Sequence, residues 1–121
     1  RTLCPNCKEE YEATDDEMAF IKRQYGEEYI DELNLPSPLM LHRGKGCDEC
    51  GDTGYRGRTG VHELLAMTPE LRSLVYKEAS VSEMKAQSMS DGMRTLTQDG
   101  LFKVLKGDTD IAQVQIISGG E

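Results

Sequence analysis

Four cysteines, Cys4, Cys7, Cys47 and Cys50, form two C-x-x-C pairs with 39 residues between them. No other feature constrains the fold as strongly. Each pair can place two thiolates about 2.3 Å from one ion, and four thiolates close a tetrahedral zinc shell. Pro5 stiffens the first knuckle. Gly51 follows the second, where a positive φ would aim amide hydrogens at sulfur. Gly44 and Gly46 leave the chain before that knuckle free to bend. A closed four-cysteine shell has no open position for water, so the expected zinc is structural, not catalytic. Two disulfides would also use four cysteines, but they need an oxidising compartment that nothing else here suggests. A thioredoxin-like redox site would need a βαβ pattern, which is missing. Iron fits the same four-thiolate cage, and the sequence leaves it open.

The metal matters because the apolar core is lean. Of 121 residues, none is Trp and two are Phe. Structural zinc supplies about 10–16 kcal/mol of apparent binding energy in small modules. That is comparable with the total stability of a domain, about 5–15 kcal/mol. Zinc should therefore dominate the stability of residues 3–53.

Net charge is −8 and uneven: residues 1–50 hold 6 basic and 12 acidic side chains, residues 51–121 hold 8 and 10. The cysteine-bearing half is the more acidic. That argues against binding a phosphate backbone, which favours a basic face. No apolar run is longer than that of Leu64 to Met67, far short of the roughly 20 residues of a membrane span. No signal peptide is visible, and a first residue of Arg1 instead of Met leads us to expect a piece of a longer protein.

Periodicity and capping signals organise the rest. Thr14 with Glu17 is a capping-box pattern, and Met18, Ile21 and Tyr25 follow at helical spacing, so Asp15 to Tyr25 reads as a helix ended by Gly26. Glu27 to Leu33 reads as a second short helix, stopped before Pro36 and Pro38. Leu39 and Leu41 alternate with Met40 and His42 as a short strand. Four glycines between Gly51 and Gly60 mean turns. Val61 to Met67 reads as a strand that Thr2-Leu3 would pair with. Thr68-Pro69-Glu70 starts a helix. Ser80 and Glu83 open another, through Ser90, which Gly92 ends. Thr95 to Lys106 is a third, in which Gly100 permits close packing. Thr109 or Asp108 caps a last helix from Asp110 to Ile117, and Ser118 to Glu121 should fray. The fold class is α+β: a small zinc-stapled α/β subdomain over residues 1–67, then a bundle of short helices over residues 68–121.

Catalytic motifs are missing from this stretch. It holds no G-x-x-x-x-G-K-[ST] phosphate loop, H-E-x-x-H or G-x-S-x-G, so it should not hydrolyse nucleotide alone. The acidic pairs Asp15-Asp16 and Glu27-Glu28 read as solvated helix charges. His42 and His62 read as ordinary partly exposed residues, although His42 is near enough to Cys47 in sequence to replace a ligand or donate to a sulfur.

The segments Leu3-Cys4-Pro5-Asn6-Cys7-Lys8, Arg43-Gly44-Lys45-Gly46-Cys47-Asp48-Glu49-Cys50 and Gly54-Tyr55-Arg56-Gly57-Arg58-Thr59-Gly60-Val61-His62-Glu63-Leu64-Leu65 together resemble one family. It is the C-terminal region of the ATPases that power type II secretion and type IV pilus assembly. Gly92-Met93-Arg94-Thr95-Leu96, Asp99-Gly100-Leu101, Lys103-Val104-Leu105 and Gly107 fit the same family's last helices, so the resemblance spans nearly the whole chain. It implies a whole protein that is a cytoplasmic, RecA-like ATPase, binding ATP and Mg²⁺ and working as a hexameric ring peripheral to the inner membrane. Its nucleotide motifs would lie upstream of the cysteines. Cys4, Cys7, Cys47 and Cys50 match the family's zinc ligands, and no catalytic or nucleotide-binding residue carries over. Implied partners are neighbouring subunits of the ring and inner-membrane platform proteins, with no nucleic acid and no direct membrane insertion. The acidic module around Glu9, Glu10 and Glu12 would be a contact surface. Arg56 and Arg58 would either pair with the abundant acids or reach nucleotide or a neighbouring subunit.

Two rivals belong to other classes. A zinc ribbon of a nucleic-acid machine predicts salt-dependent nucleic-acid binding. A chaperone-type interaction module predicts binding to unfolded proteins. Its only support is that Cys47 to Gly54 loosely resembles one C-x-x-C-x-G-x-G repeat of the DnaJ-type co-chaperones.

Overall fold

The computed structural model describes residues 1–118. Two strands and five helices occur in the order β1 (Lys8–Glu12), α1 (Asp15–Tyr25), β2 (Met40–Gly44), α2 (Pro69–Tyr76), α3 (Val81–Ser90), α4 (Leu96–Lys106) and α5 (Ile111–Ile117). This is the α+β class expected. Among the described residues no helix is long and apolar enough to cross a membrane.

Local chemistry sets the helix starts. Thr14 and Glu17 close a reciprocal capping box: the Glu17 N–H donates to Thr14 Oγ1 at 3.1 Å, and the Thr14 N–H to Glu17 Oε1 at 3.0 Å. Three acids in the first turn and Lys22 and Arg23 in the last suit the helix dipole. Thr68 and Ser80 cap α2 and α3 by one bond each, their hydroxyls accepting from the Leu71 and Glu83 N–H groups. The cap of α5 is Asp110, not Thr109 or Asp108: its Oδ1 accepts from the Gln113 N–H at 3.1 Å. Thr109 is buried and donates to the Arg1 carbonyl instead. Of the expected helix over Glu27 to Leu33, only Ile30–Leu33 winds, as a 3₁₀ turn. Its backbone bonds span three residues, from Tyr29 to Gly26, Glu32 to Tyr29 and Asn34 to Asp31, which is the tighter 3₁₀ winding. Of the expected frayed end, residues 119–121 lie outside the described residues.

The antiparallel pair β1–β2 runs in the register Lys8↔Gly44, Glu10↔His42 and Glu12↔Met40. Strand β1 was not legible: Lys-Glu-Glu-Tyr-Glu has poor strand propensity. Its partners hold it. Arg43 Nε meets Glu9 at 2.9 Å, the Arg43 Cζ lies 4.7 Å from the centre of the Tyr11 ring, and the Tyr11 hydroxyl donates to Glu17 at 2.5 Å. Cross-strand context overrides intrinsic preference here. Lys8 Nζ reaches past the sheet to the Gly107 carbonyl after α4, at 3.0 Å.

The chain divides into two units, one of residues 1–61 with 96 onward, the other of residues 62–95. The expected boundary after residue 67 is therefore replaced. Helices α4 and α5 fall in the first unit, and α2 and α3 in the second. Leu101, Val104 and Val114 are buried in one core with Ile21 and Tyr25 of α1, Leu39 and Leu41. Gln98 donates to the Tyr25 carbonyl at 2.7 Å within that core. Gly100 allows the approach of α5: a Cβ there would lie 3.2 Å from Val114 Cγ2. A lean N-terminal half completes its apolar interior with helices from the far end of the sequence.

In the second unit, Leu71 is buried between α2 and α3, and Thr68 Oγ1 donates to Asp91 at 2.7 Å, tying the start of α2 to the end of α3. The expected strand over Val61 to Met67 does not form; residues 61–67 have no regular structure and Leu64 is 84% exposed. Its intended partner is already taken. Thr2 exchanges hydrogen bonds with the Gly57 carbonyl and the Arg56 N–H, and the Leu3 N–H donates to Asp108. A strand without a neighbour leaves its backbone groups to water.

Candidate metal centre

Each cysteine pair sits on a tight turn. The Cys7 N–H donates to the Cys4 carbonyl at 3.3 Å, and the Cys50 N–H to the Cys47 carbonyl at 3.3 Å. Backbone bonds then lock the two knuckles together. The Cys4 N–H donates to Gly54 at 2.9 Å and the Lys45 N–H to Cys7 at 3.3 Å. Closure depends on two glycines lying backbone on backbone. A Cβ on Gly44 would be 2.1 Å from the Gly54 carbonyl oxygen, and one on Gly54 would be 2.6 Å from that of Gly44. The need at Gly44 is thus for proximity more than for bending freedom.

The result brings together the four predicted residues. Cys4, Cys7, Cys47 and Cys50 present sulfurs that all lie within 4.8 Å of one another, and this group could hold a metal ion. The closest pairs are Cys47–Cys50 at 3.7 Å and Cys4–Cys47 and Cys7–Cys50 at 3.8 Å. These are free cysteines. Their separations far exceed the roughly 2.05 Å of a disulfide. A regular tetrahedron with bonds of about 2.3 Å has edges of about 3.8 Å.

The surrounding N–H groups favour thiolates unevenly. Cys50 accepts from the Cys47 N–H at 3.3 Å and the Gly54 N–H at 3.2 Å. Burial alone would raise its thiol, but these donors bring it down to about 6. Cys47 is also lowered, chiefly by the Asn6 side-chain amide, whose Nδ2 lies 3.2 Å from its sulfur. Burial pushes Cys7 up to about 11, against the pull of the Gly46 N–H at 3.3 Å. Cys4 is fully buried. Four sulfurs this close cannot all ionise unaided, because like charges suppress one another. A divalent cation removes that conflict, so the donor set fits a thiophilic metal ion.

Sequence reasoning missed three contributors. Gly51 does take a positive φ of 62°, but its N–H goes to Asp48; the amide aimed at Cys50 belongs to Gly54. Gly46 supplies the donor to Cys7 as well as a bend. Asn6 donates from one knuckle to the other. A polar residue inside a C-x-x-C loop was the only available signal for it. His42 is not one of the clustered residues. Its Nε2 lies 3.4 Å from Glu10, and its buried Nδ1, without a hydrogen-bond partner, faces Gly107. His62 is exposed in the other unit. Arg56 pairs with Glu49 at 3.0 Å, both well exposed, and Arg58 is exposed.

The family model described as "Type II/IV secretion system protein" matches residues 1–116. The chain is 39% identical over 114 residues to the type II secretion system protein E of Pseudomonas aeruginosa, covering 94% of this chain and 20% of that protein. It is 38% identical over 122 residues to the type II secretion system ATPase E of Vibrio cholerae, covering 98% of this chain and 21% of that protein. It is 35% identical over 114 residues to the type IV pilus assembly ATPase PilB of Thermus thermophilus, covering 94% of this chain and 12% of that protein. The chain thus spans about a fifth or less of these curated relatives. With nearly every residue matched, this chain belongs to the type II/IV secretion system protein family.

Proposed function

We propose that this chain is the non-catalytic, zinc-stapled part of an ATP-hydrolysing motor for protein secretion or pilus assembly. The observation that carries the reading is the sulfur cluster in a chain of this family. Its spacing suits tetrahedral zinc, and four protein ligands leave no position for a reacting water. Cys4, Cys7, Cys47 and Cys50 would hold the ion, which when bound supplies folding free energy and no reaction step. ATP and Mg²⁺ would be bound elsewhere in the whole protein, which would work at the cytoplasmic side of the inner membrane through its partners. Elemental analysis of protein purified under reducing conditions without added metal should find one zinc per chain. A metal-free protein, or iron at one per chain, would overturn the zinc assignment.

The same module would offer an acidic surface to a neighbouring subunit or to the membrane platform. Of the three expected residues, Glu9 is paired with Arg43 and Lys45, so its charge is partly cancelled within the sheet, and Glu10 Oε1 lies 3.4 Å from His42 Nε2. Glu12, Glu27 and Glu28 are exposed and test the idea without breaking those pairs. Reversing all three to Lys in the full-length protein should cut secretion or piliation several-fold, since complementary charge governs encounter more than fold. Unchanged output would sink this surface.

A further inference from the structure

The backbone donates N–H groups to Cys7 and Cys50, and those donors cannot be altered by exchanging a side chain. Cys47 is different. Asn6 projects from the turn of the first knuckle and places Nδ2 3.2 Å from the Cys47 sulfur on the second. The residue is exposed, sits between Pro5 and Cys7, and contributes nothing to the apolar core. The turn that carries it is held by the Cys7 N–H to the Cys4 carbonyl and by the Cys4 N–H to Gly54. Its reach to Cys47 is therefore set by the same backbone that sets the ligands.

We infer that Asn6 is a positioning residue of the metal centre, donating across the two knuckles to hold and partly neutralise the Cys47 thiolate. The inference rests on the metal reading of the four cysteines. Charge-assisted donors to a thiolate reduce the repulsion among four such ligands around one divalent ion. Partners outside the ligand shell orient the ligands, and their loss weakens metal affinity by about 10–100-fold. An amide is well suited here because it donates without adding charge. A carboxylate of the same shape would set a negative oxygen against the sulfur.

The test uses the full chain with Asn6→Asp and Asn6→Leu. The first keeps the shape and removes the donor, and the second removes all polarity. Zinc affinity is measured by competition with a chromogenic chelator. The same proteins loaded with Co²⁺ report on sulfur through the thiolate-to-cobalt charge-transfer band. Both variants should lose about tenfold in zinc affinity, and the band should move to longer wavelength as the sulfur electrons lose their hydrogen bond. A loss below about threefold in Asn6→Asp overturns the inference. So does a larger loss with an unmoved band, because that marks a general structural role. Stoichiometric zinc in the unsubstituted protein is checked first. Its absence would defeat the metal reading itself, a failure distinct from that of Asn6.

Discussion

Stripping the metal under reducing conditions should melt residues 1–61 and 96–118 together and leave residues 62–95 folded. Apparent zinc binding of about 10–16 kcal/mol exceeds what a lean core supplies. The first unit shares a single interior, Ile21, Tyr25, Leu39, Leu41, Leu101, Val104 and Val114. Loss of the knuckles removes the clamp that sets β1 against β2, and that interior loses one wall. Helices α4 and α5 are remote from the cysteines in sequence but pack in the same unit, so their amides should lose protection with those of α1. Helices α2 and α3 keep their caps and their packing on Leu71. Amide hydrogen exchange before and after chelation reads both units at once. Protection of α4 and α5 that persists with that of α2 and α3 would restore the sequence-based boundary. Protection unchanged everywhere would mean that the metal does not stabilise the fold.

Gly44→Ala should be nearly as damaging as loss of a ligand. The new Cβ would fall 2.1 Å from the Gly54 carbonyl oxygen and 2.6 Å from its Cα, both backbone atoms. No rotamer relieves such an overlap; the knuckles must part. Overpacking costs about 1–3 kcal/mol where side chains can yield and more where they cannot, so a loss of about 3 kcal/mol or more is expected. Moving Gly54 also withdraws the N–H aimed at Cys50, so zinc retention should fall with stability. Gly51→Ala is the control: its φ is 62°, but nothing lies within 4 Å of its Cβ position. That substitution should cost only the left-handed backbone penalty, about 1–2 kcal/mol. Urea unfolding of the metal-loaded proteins separates the two. Equal losses would show that backbone conformation, not contact, sets the need for glycine at Gly44.

Features governed by near neighbours were legible. The helix from Asp15 to Tyr25 is bounded as expected because Thr14, Glu17 and Gly26 act within one turn of its ends. The starts of α2 and α3 follow from Thr68 with Pro69 and from Ser80 for the same reason. The cysteine spacing identified all four clustered side chains, because two vicinal pairs have few other uses. The largest failures are non-local. Val61 to Met67 has a strand's composition, but strand formation needs a free edge, and Thr2 and Leu3 are committed to Arg56, Gly57 and Asp108. Strand β1 has a poor composition and forms because β2 and Arg43 are there to receive it.

Residue identity and short spacing were enough to read the family, the four candidate ligands, the α+β class and the helix starts. That α4 and α5 share an interior with α1, that Gly44 and Gly54 touch and that Asn6 reaches Cys47 emerged in the folded chain alone. Those outcomes depend on which surfaces meet after the chain closes on itself. Burial and contact between residues dozens of positions apart leave no periodic trace in either partner.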